Sequence, residues 1–341
     1  MKKLLLILLC LPLLTLAQQT YVPDDNFEAY LEANGMGNGV PNDDYVTTAS
    51  IDTVTYLEVS YRSIADLTGI EDFTALTNLN CMHNQLTSLN VSSNLALTDL
   101  DCNVNQLTNL DASGCTALFS LVCHFNQLTN LDASGCTALT NLGCANNQLT
   151  NLDVSSNLAL EYLECRDNLI TSLDVSNNPA LGALACSGNQ LTSLDVSNNT
   201  DLVVLSCPYN QLTKLDVSNN LTLYFLDCNF NQLTSLDVKN GNNINMTSFS
   251  VTNNPNLYCI NVDDAAWSTA NWTIDSVGTP LIDSQHYFSA NCPPSAIQEH
   301  TLNKELLKVT DLLGRETKGT KNEVLFYIYD DGTVEKRIVI E

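Results

Sequence analysis

The chain has 341 residues with 38 acidic and 13 basic side chains, a formal net charge of −25. A field of that sign repels nucleic-acid phosphates and anionic lipid headgroups, and it leaves cations, cationic protein patches and neutral glycans as partners. The charge is uneven: Gln18 to Thr301 holds four basic residues, Arg62, Arg166, Lys214 and Lys239, against 30 acidic ones, a net −26, whereas the last 40 residues hold seven basic and eight acidic.

From the N-terminus, Lys2 and Lys3 precede an apolar run from Leu4 to Leu16 that closes on Thr15-Leu16-Ala17, a small-x-small cleavage pattern. Residues 1–17 read as a secretory signal peptide, and the remainder as a chain that is secreted or held at the outer cell surface. No other stretch approaches the roughly 18 uncharged apolar residues that span a bilayer, so no transmembrane segment is expected. Residues 18–75 read as an N-terminal cap. Pro23-Asp24-Asp25-Asn26 sets up a capped helix over FEAYLEANG that ends at Gly35, and Leu57-x-Val59 with Ile64 makes an irregular first coil.

Residues 76–262 repeat. Cysteine recurs every 21 residues, at Cys81, Cys102, Cys123, Cys144, Cys165, Cys186, Cys207 and Cys228, and each is followed three residues later by asparagine, from Asn84 to Asn231. The alternation at Leu79-x-Cys81 is strand-like with leucine and cysteine inward, so successive coils stack as parallel strands. A turn forced after each strand leaves buried backbone groups, which the amide of a stacked asparagine satisfies from both ends. A second half-unit, Leu149-x-x-Leu152-x-Val154-x-x-Asn157, gives each coil a second extended side. The period breaks after Val238 and leads to Leu257-x-Cys259. Residues 263–292, with Trp267, Trp272, Tyr287 and Phe288, read as a closing cap. The LxxLxCxxNxL unit resembles the leucine-rich-repeat signature over roughly residues 57–262, and that resemblance implies a repeat solenoid, mainly β, of 21-residue coils.

The eight ladder cysteines fall where that repeat commonly has a small apolar residue, and a buried thiol serves as one. Two other pairs stand apart. Cys115 and Cys136 replace the asparagine found at Asn94, Asn157, Asn178, Asn199 and Asn220; as stacked neighbours about 5 Å apart they are within disulfide range, and a bond or two thiols are both open. Cys259 and Cys292 bracket the C-terminal cap, where a disulfide staples a loop with little core of its own.

No catalytic constellation emerges: His83, His124, His286 and His300 sit in no HExxH, and there is no GxSxG elbow or glycine-rich phosphate loop. An aspartate column at the 21-residue period, Asp111 through Asp237, is the strongest concentration of chemistry. Its mutual repulsion requires either hydrogen bonds from nearby hydroxyls and backbone amides or bound calcium, for which Asp153, Asp174, Asp195 and Asp216 are the candidates. The regularity of the column favours the structural role, and a glycoside hydrolase needs one differentiated pair of carboxylates instead. Recognition is better sought in columns that vary. Two residues after the ladder cysteines the side chains run His83, Val104, Phe125, Asn146, Asp167, Gly188, Tyr209, Phe230, and near them lie His124, Tyr162, Arg166, Tyr224 and Phe225. Aromatics on neighbouring coils can stack on sugars or anchor a protein, or can be drift on a solvated face.

Pro293-Pro294-Ser295 and the change in charge mark residues 293–301 as a linker. Beyond it, 302–341 shows alternating apolar stretches around a Gly/Thr/Lys turn, the pattern of a small β unit. The segment resembles the C-terminal sorting domain of cargo for the type IX secretion system of Bacteroidota, in which a DxLGR motif, here Asp311, Leu313, Gly314 and Arg315, precedes an aromatic strand and a basic, apolar end. That resemblance implies the type IX secretion machinery as a partner and removal of the tail on export. Together these features define an expectation: an exported binding module that recognises an extracellular protein or glycan and has no cofactor beyond optional calcium. The alternatives are a passive calcium-binding matrix or adhesin component and, third, a glycan-processing enzyme.

Overall fold

The computed structural model describes residues 18–273, 281–293, 306–310, 315–317, 324–329 and 334–338. The signal-peptide segment 1–17 and Asp311, Leu313 and Gly314 of the sorting motif lie outside the described residues. The chain divides into two compact units, one ending at Cys292 and the other beginning at Pro293.

The first unit opens with a helix over Asp25–Ala33. Asp24 is its N-cap: Oδ1 accepts from Asn26 N and Phe27 N, both at 3.0 Å, leaving two fewer orphan donors at the helix start. The other oxygen, Oδ2, accepts from Ala65 N at 2.7 Å and Asp66 N at 3.1 Å, so one carboxylate ties the cap helix to the first coil. Phe27 and Leu31 on the inner face are fully buried, and Phe27 stacks on Phe73 with ring centroids 6.3 Å apart. Strands Gln19–Tyr21 and Tyr45–Thr47 pair antiparallel beside this helix.

Among the described residues ten short parallel strands form the main sheet, from Tyr56–Glu58 to Ser248–Ser250. Each is three residues long, with a central leucine, or Phe249 in the last, stacked in register on its neighbours, Leu142 on Leu163 on Leu184 for example. Those leucines and the ladder cysteines are buried throughout. Truncation of one such leucine removes about 2–5 kcal/mol, because the neighbouring coils cannot collapse into the gap. The asparagine column works from both ends of its amide: Asn147 Nδ2 donates to Cys123 O at 3.0 Å and Cys144 O at 3.1 Å, while Oδ1 accepts from Leu128 N at 3.0 Å. The same three-way bridge to the preceding coil recurs up to Asn231.

The second side of the coils is strand only near its ends, at Ser88–Asn90 with Asn109–Asp111 and again from Lys214–Asp216 onward. Here a second asparagine column donates to the preceding coil, Asn157 Nδ2 to Ala133 O at 3.0 Å and to Cys136 O at 2.9 Å. Cys115 and Cys136 stand in this column as buried free thiols, which corrects the disulfide considered for them. The cause is direction: Cys115 Sγ points at Val91 O, 3.2 Å away, and Cys136 Sγ at Ala112 O, 3.5 Å away, so each S–H replaces an asparagine donor and faces the previous coil's backbone instead of its neighbour's sulfur. Gly114 and Gly135 belong to the same substitution, since a Cβ at either would collide with the carbonyl of Ser92 or Ser113. Burial pushes the Cys136 thiol up to about 11 and the Cys115 thiol up to about 12, which keeps both protonated.

The array also runs one coil further than its leucine pattern suggests. In a coil two residues longer than the 21-residue unit, Phe249 stacks on Leu226 and Asn254 donates to Cys228 O at 3.1 Å, while Cys259 belongs to strand Cys259–Asn261 on the second side. The end is then closed by a helix, Ala265–Asn271, capped by Asp264. Trp272 stacks on Phe249 with centroids 4.3 Å apart and meets Phe288 edge-on at 5.9 Å. A disulfide joins Cys259 to Cys292, with Cα atoms 5.7 Å apart, and fixes the last strand, Tyr287–Ser289, against Cys259–Asn261. The second unit contains a three-stranded antiparallel sheet in which Val324–Tyr329 lies between Leu306–Thr310 and Val334–Ile338. Among the described residues no helix is long and apolar enough to cross a membrane.

Candidate recognition surface

Each strand must turn sharply for the next asparagine to point inward, and the turn is made by one left-handed residue two positions after the inward ladder residue. Tyr61, His83, Val104, Phe125, Asn146, Asp167, Tyr209 and Phe230 all have φ between 52° and 56°, and Gly188 has 63°. An L side chain in this region costs about 1–2 kcal/mol, and glycine, which avoids the cost, occurs in the column only at Gly188. The side chains leave the backbone outward beside the sheet: Phe125 is 57% exposed, Tyr209 58% and Phe230 41%. Neighbouring rings stack, Tyr209 on Phe230 at 4.3 Å with planes 9° apart and Tyr61 on His83 at 4.2 Å. Each such contact returns about 0.5–1.5 kcal/mol, less than the strain of two left-handed residues.

On the sheet itself a polar group spans three coils. Glu164, 9% exposed, accepts from the Tyr162 hydroxyl on Oε2 and from Arg166 Nε at 2.8 Å and Nη2 on Oε1. Burial opposes ionisation of Glu164, but the bonds from Tyr162 and Arg166 outweigh it and hold the carboxyl below its usual range. Burial, reinforced by the bond to Glu164, pushes the Tyr162 phenol up to about 12. His124, one coil further toward the N-terminus than Gly143, lies over that glycine, where a Cβ would come within 2.6 Å of the ring. Its Nδ1 accepts from Ala145 N at 2.9 Å. Burial lowers the His124 pKa against the opposing charge of Glu164, so the ring is neutral at pH 7.

Of the candidates named from sequence, Tyr162 and Arg166 thus meet on Glu164, with His124 close enough to share its field. Tyr209 and Phe230 meet as a stacked pair, and Phe225 projects from the sheet next to Val204 and Ser248. Phe125 stands on the left-handed column without a ring partner among the described residues, and Tyr224 precedes its strand, exposed at the sheet's other border. Sequence reasoning missed Glu164, Gly143 and Tyr61. The column one before each ladder cysteine, Asn80, Asp101, Val122, Gly143, Glu164, Ala185, Ser206, Asp227, varies as much as the one chosen and holds two of the three.

The aspartates of the second side are engaged otherwise. Oδ1 of Asp111, Asp132, Asp153, Asp174, Asp195 and Asp216 each accepts from the backbone N–H two residues on, at 2.9–3.0 Å, an Asx turn repeated coil after coil. Serine hydrogen bonds hold Asp132, Asp153, Asp174 and Asp195 below the ordinary carboxylate range. An open depression of 580 Å³ runs over Asp153, Asp174 and Asp195. Among the described residues no group of three or more histidine, cysteine or acidic side chains is arranged to hold a metal ion. Of the cap cysteines, Cys259 and Cys292 are bonded; of the sorting motif, only Arg315 is described, and it is exposed.

This architecture is a leucine-rich-repeat solenoid. No protein-family model matches the sequence. It is similar to Internalin J of Listeria monocytogenes serotype 4b, 41% identical over 74 residues, which cover 22% of this chain and 8% of that protein. The solved domain of InlJ from Listeria monocytogenes, described as a functional domain that includes a cysteine ladder, is 36% identical with a TM-score of 0.60 and matches 72% of this chain and 62% of its own. Internalin C2 of the same species is 22% identical with a TM-score of 0.48, over 72% of this chain and 98% of the other. The chain therefore spans about three-fifths of the solved InlJ domain and a small part of the whole protein.

Proposed function

We propose that this chain is an exported, non-catalytic recognition module whose sheet face binds an extracellular protein, and that residues 302–341 are its type IX secretion sorting domain. The observation that carries the first part is the exposed aromatic column, held at left-handed positions where a smaller residue would stabilise the fold more. The likeness to the InlJ domain supports a surface or secreted setting, and the separate antiparallel sheet after Pro293 supports a tail that works independently of the solenoid.

The test is a screen of residues 18–341 on arrays of extracellular proteins and glycans, with calcium and with chelator, beside a Phe125→Ala, Tyr209→Ala, Phe230→Ala variant. Selective protein binding that falls at least tenfold in the variant is expected. Glycan-only binding would change the partner class. No selective binding, with a melting temperature that rises in calcium and not in an Asp153→Asn, Asp174→Asn, Asp195→Asn, Asp216→Asn variant, would favour a passive calcium-binding surface protein. Turnover of any polysaccharide by the purified chain would refute the non-catalytic reading. Deletion of residues 302–341 is expected to abolish delivery to the surface or medium while the solenoid still folds.

A further inference from the structure

Between the Glu164 group and the Tyr209–Phe230 stack the sheet dips. In register, the outward residues read Tyr162, Ala183, Val204, Phe225 in one column and Glu164, Ala185, Ser206, Asp227 in the next. Two coils of small side chains therefore lie between aromatic and acidic walls. At about 4.8 Å per strand the walls stand about 14 Å apart over a floor about 10 Å wide. The bordering left-handed column continues the pattern: Gly188 makes room for the Asp167 carboxylate, which a Cβ there would strike, and Tyr209 with Phe230 follows.

The charges of this saddle are not balanced. Glu164 is satisfied by Arg166, the only permanent cation on the outward sheet columns. Asp227 is half-buried and accepts one backbone bond, from Asn229 N at 3.2 Å, and among the described residues no cation pairs with it. Burial raises its pKa, as expected for a carboxylate short of a positive partner. Carboxylates, a flat aromatic stack and a floor of small side chains are together complementary to a group that is planar, cationic and carried on a long apolar stem. A guanidinium both stacks on an aromatic face and binds a carboxylate through two parallel bonds, whereas an ammonium is a strongly hydrated point charge.

We propose that the saddle over Ala183, Ala185 and Val204 is an arginine-reading subsite, in which an arginine of an extended segment of the protein partner lays its stem across the floor beside the Tyr209–Phe230 stack and pairs with Asp227. The proposal rests on the reading that the sheet face binds a protein. It is tested on residues 18–341 with fluorescent octapeptides of glycine and serine that carry two arginines, two lysines or two citrullines, titrated at 150 mM salt. Binding of the arginine peptide at least tenfold tighter than of the lysine peptide is expected, with no binding of the citrulline peptide. Asp227→Asn and the floor-filling Ala185→Leu are each expected to weaken it at least tenfold. Asp153→Asn, which removes the same charge from the other side, leaves it within twofold, and melting curves confirm that all three variants fold. Equal affinity for arginine and lysine, an Asp153→Asn loss as large as that of Asp227→Asn, or no peptide binding overturns the subsite. If an array partner is nevertheless found and is lost in the aromatic variant, protein recognition by the face stands without it; if no partner is found either, both fall.

Discussion

The two outer sides of the solenoid come from one 21-residue unit, and both carry acidic side chains, but they use them in opposite ways. On the second side every aspartate occupies the same place and accepts a turn amide, so one oxygen of each carboxylate is committed to the backbone before any ligand arrives. On the sheet side acidic residues recur irregularly, Asp101, Glu164 and Asp227 in one column amid residues that differ from coil to coil; Glu164 is closed by Arg166 and Tyr162, and Asp101 and Asp227 each accept from a backbone N–H two residues on. A uniform column in a stacked array is thus a scaffold requirement repeated, whereas an irregular one is where the scaffold makes no demand and recognition chemistry can be written. If this holds, substitutions that remove a uniform column's scaffold contact cost stability and leave binding alone, and substitutions in irregular columns change binding at no cost in stability.

The largest effect separates the two asparagine columns. Asn147→Ala orphans one buried N–H, that of Leu128, and takes one of two amide donors from each of Cys123 O and Cys144 O, which Asn126 and Asn168 still reach; an orphaned buried group costs about 1–3 kcal/mol and each lost bond about 1 kcal/mol, so a loss of about 3 kcal/mol is expected. Asn157→Ala removes only donor bonds, its Oδ1 having no partner among the described residues, and should cost about half as much. Asn157→Cys should be milder still, because the thiols of Cys115 and Cys136 already fill that role. Urea titrations read by circular dichroism decide it; equal losses from Asn147→Ala and Asn157→Ala would mean that the unused oxygen is irrelevant to the tolerance of the second column.

Much of this was visible before any coordinates, because stacking forces a period on whatever residues touch the next coil. The inward Leu, Cys and Asn columns, the helix that Asp24 caps and the position of the exposed aromatics all follow from spacing. What spacing omits is direction. Cys115 and Cys136 have the right separation for a disulfide, and only the orientation of their sulfurs toward the preceding coil's carbonyls shows a different use. The Gly-Cys pairs at Gly114-Cys115 and Gly135-Cys136 were the available signal, since glycine enters where a carbonyl must come close. The coil at Phe249 escaped because Phe and Val replace Leu and Cys within a lengthened unit. Glu164 escaped because its column looked no different from a solvated one until Tyr162 and Arg166 closed over it.

A smaller effect tests whether the irregular left-handed column is free of scaffold demands. Val104 is β-branched at φ 52°, where such a side chain is least tolerated, and asparagine is the non-glycine residue that tolerates it best. Val104→Asn is expected to stabilise the solenoid by about 1 kcal/mol, a gain of a few degrees in melting temperature. If the variant melts lower, the column is under a packing constraint that its exposure does not reveal, and the contrast between the two kinds of column weakens.

The smallest effect is expected where the charges are most numerous. The aspartate column begins with an asparagine: Asn90 Oδ1 accepts from Ser92 N at 2.9 Å and from Ser92 Oγ at 2.7 Å, in the geometry its acidic successors adopt. The turn therefore needs an oxygen acceptor, and charge is incidental to it. Replacing Asp132, Asp153, Asp174 and Asp195 together by asparagine should leave the melting temperature at pH 7 nearly unchanged, relief of mutual repulsion offsetting weaker hydrogen bonds. The pH dependence is where the variant parts from the parent. All four carboxyls are held below the ordinary value of 3.8, so the stability they add is complete above that value and is lost as pH falls through their depressed pKa values, when the folded state must take up protons it disfavours. The parent should lose stability steadily from about pH 4 downward and the asparagine variant less steeply. Parallel acid profiles would assign the column's charge no part in stability at any pH, and a variant that melts well below the parent at pH 7 would show that the carboxylates do more for the coil than the turn explains.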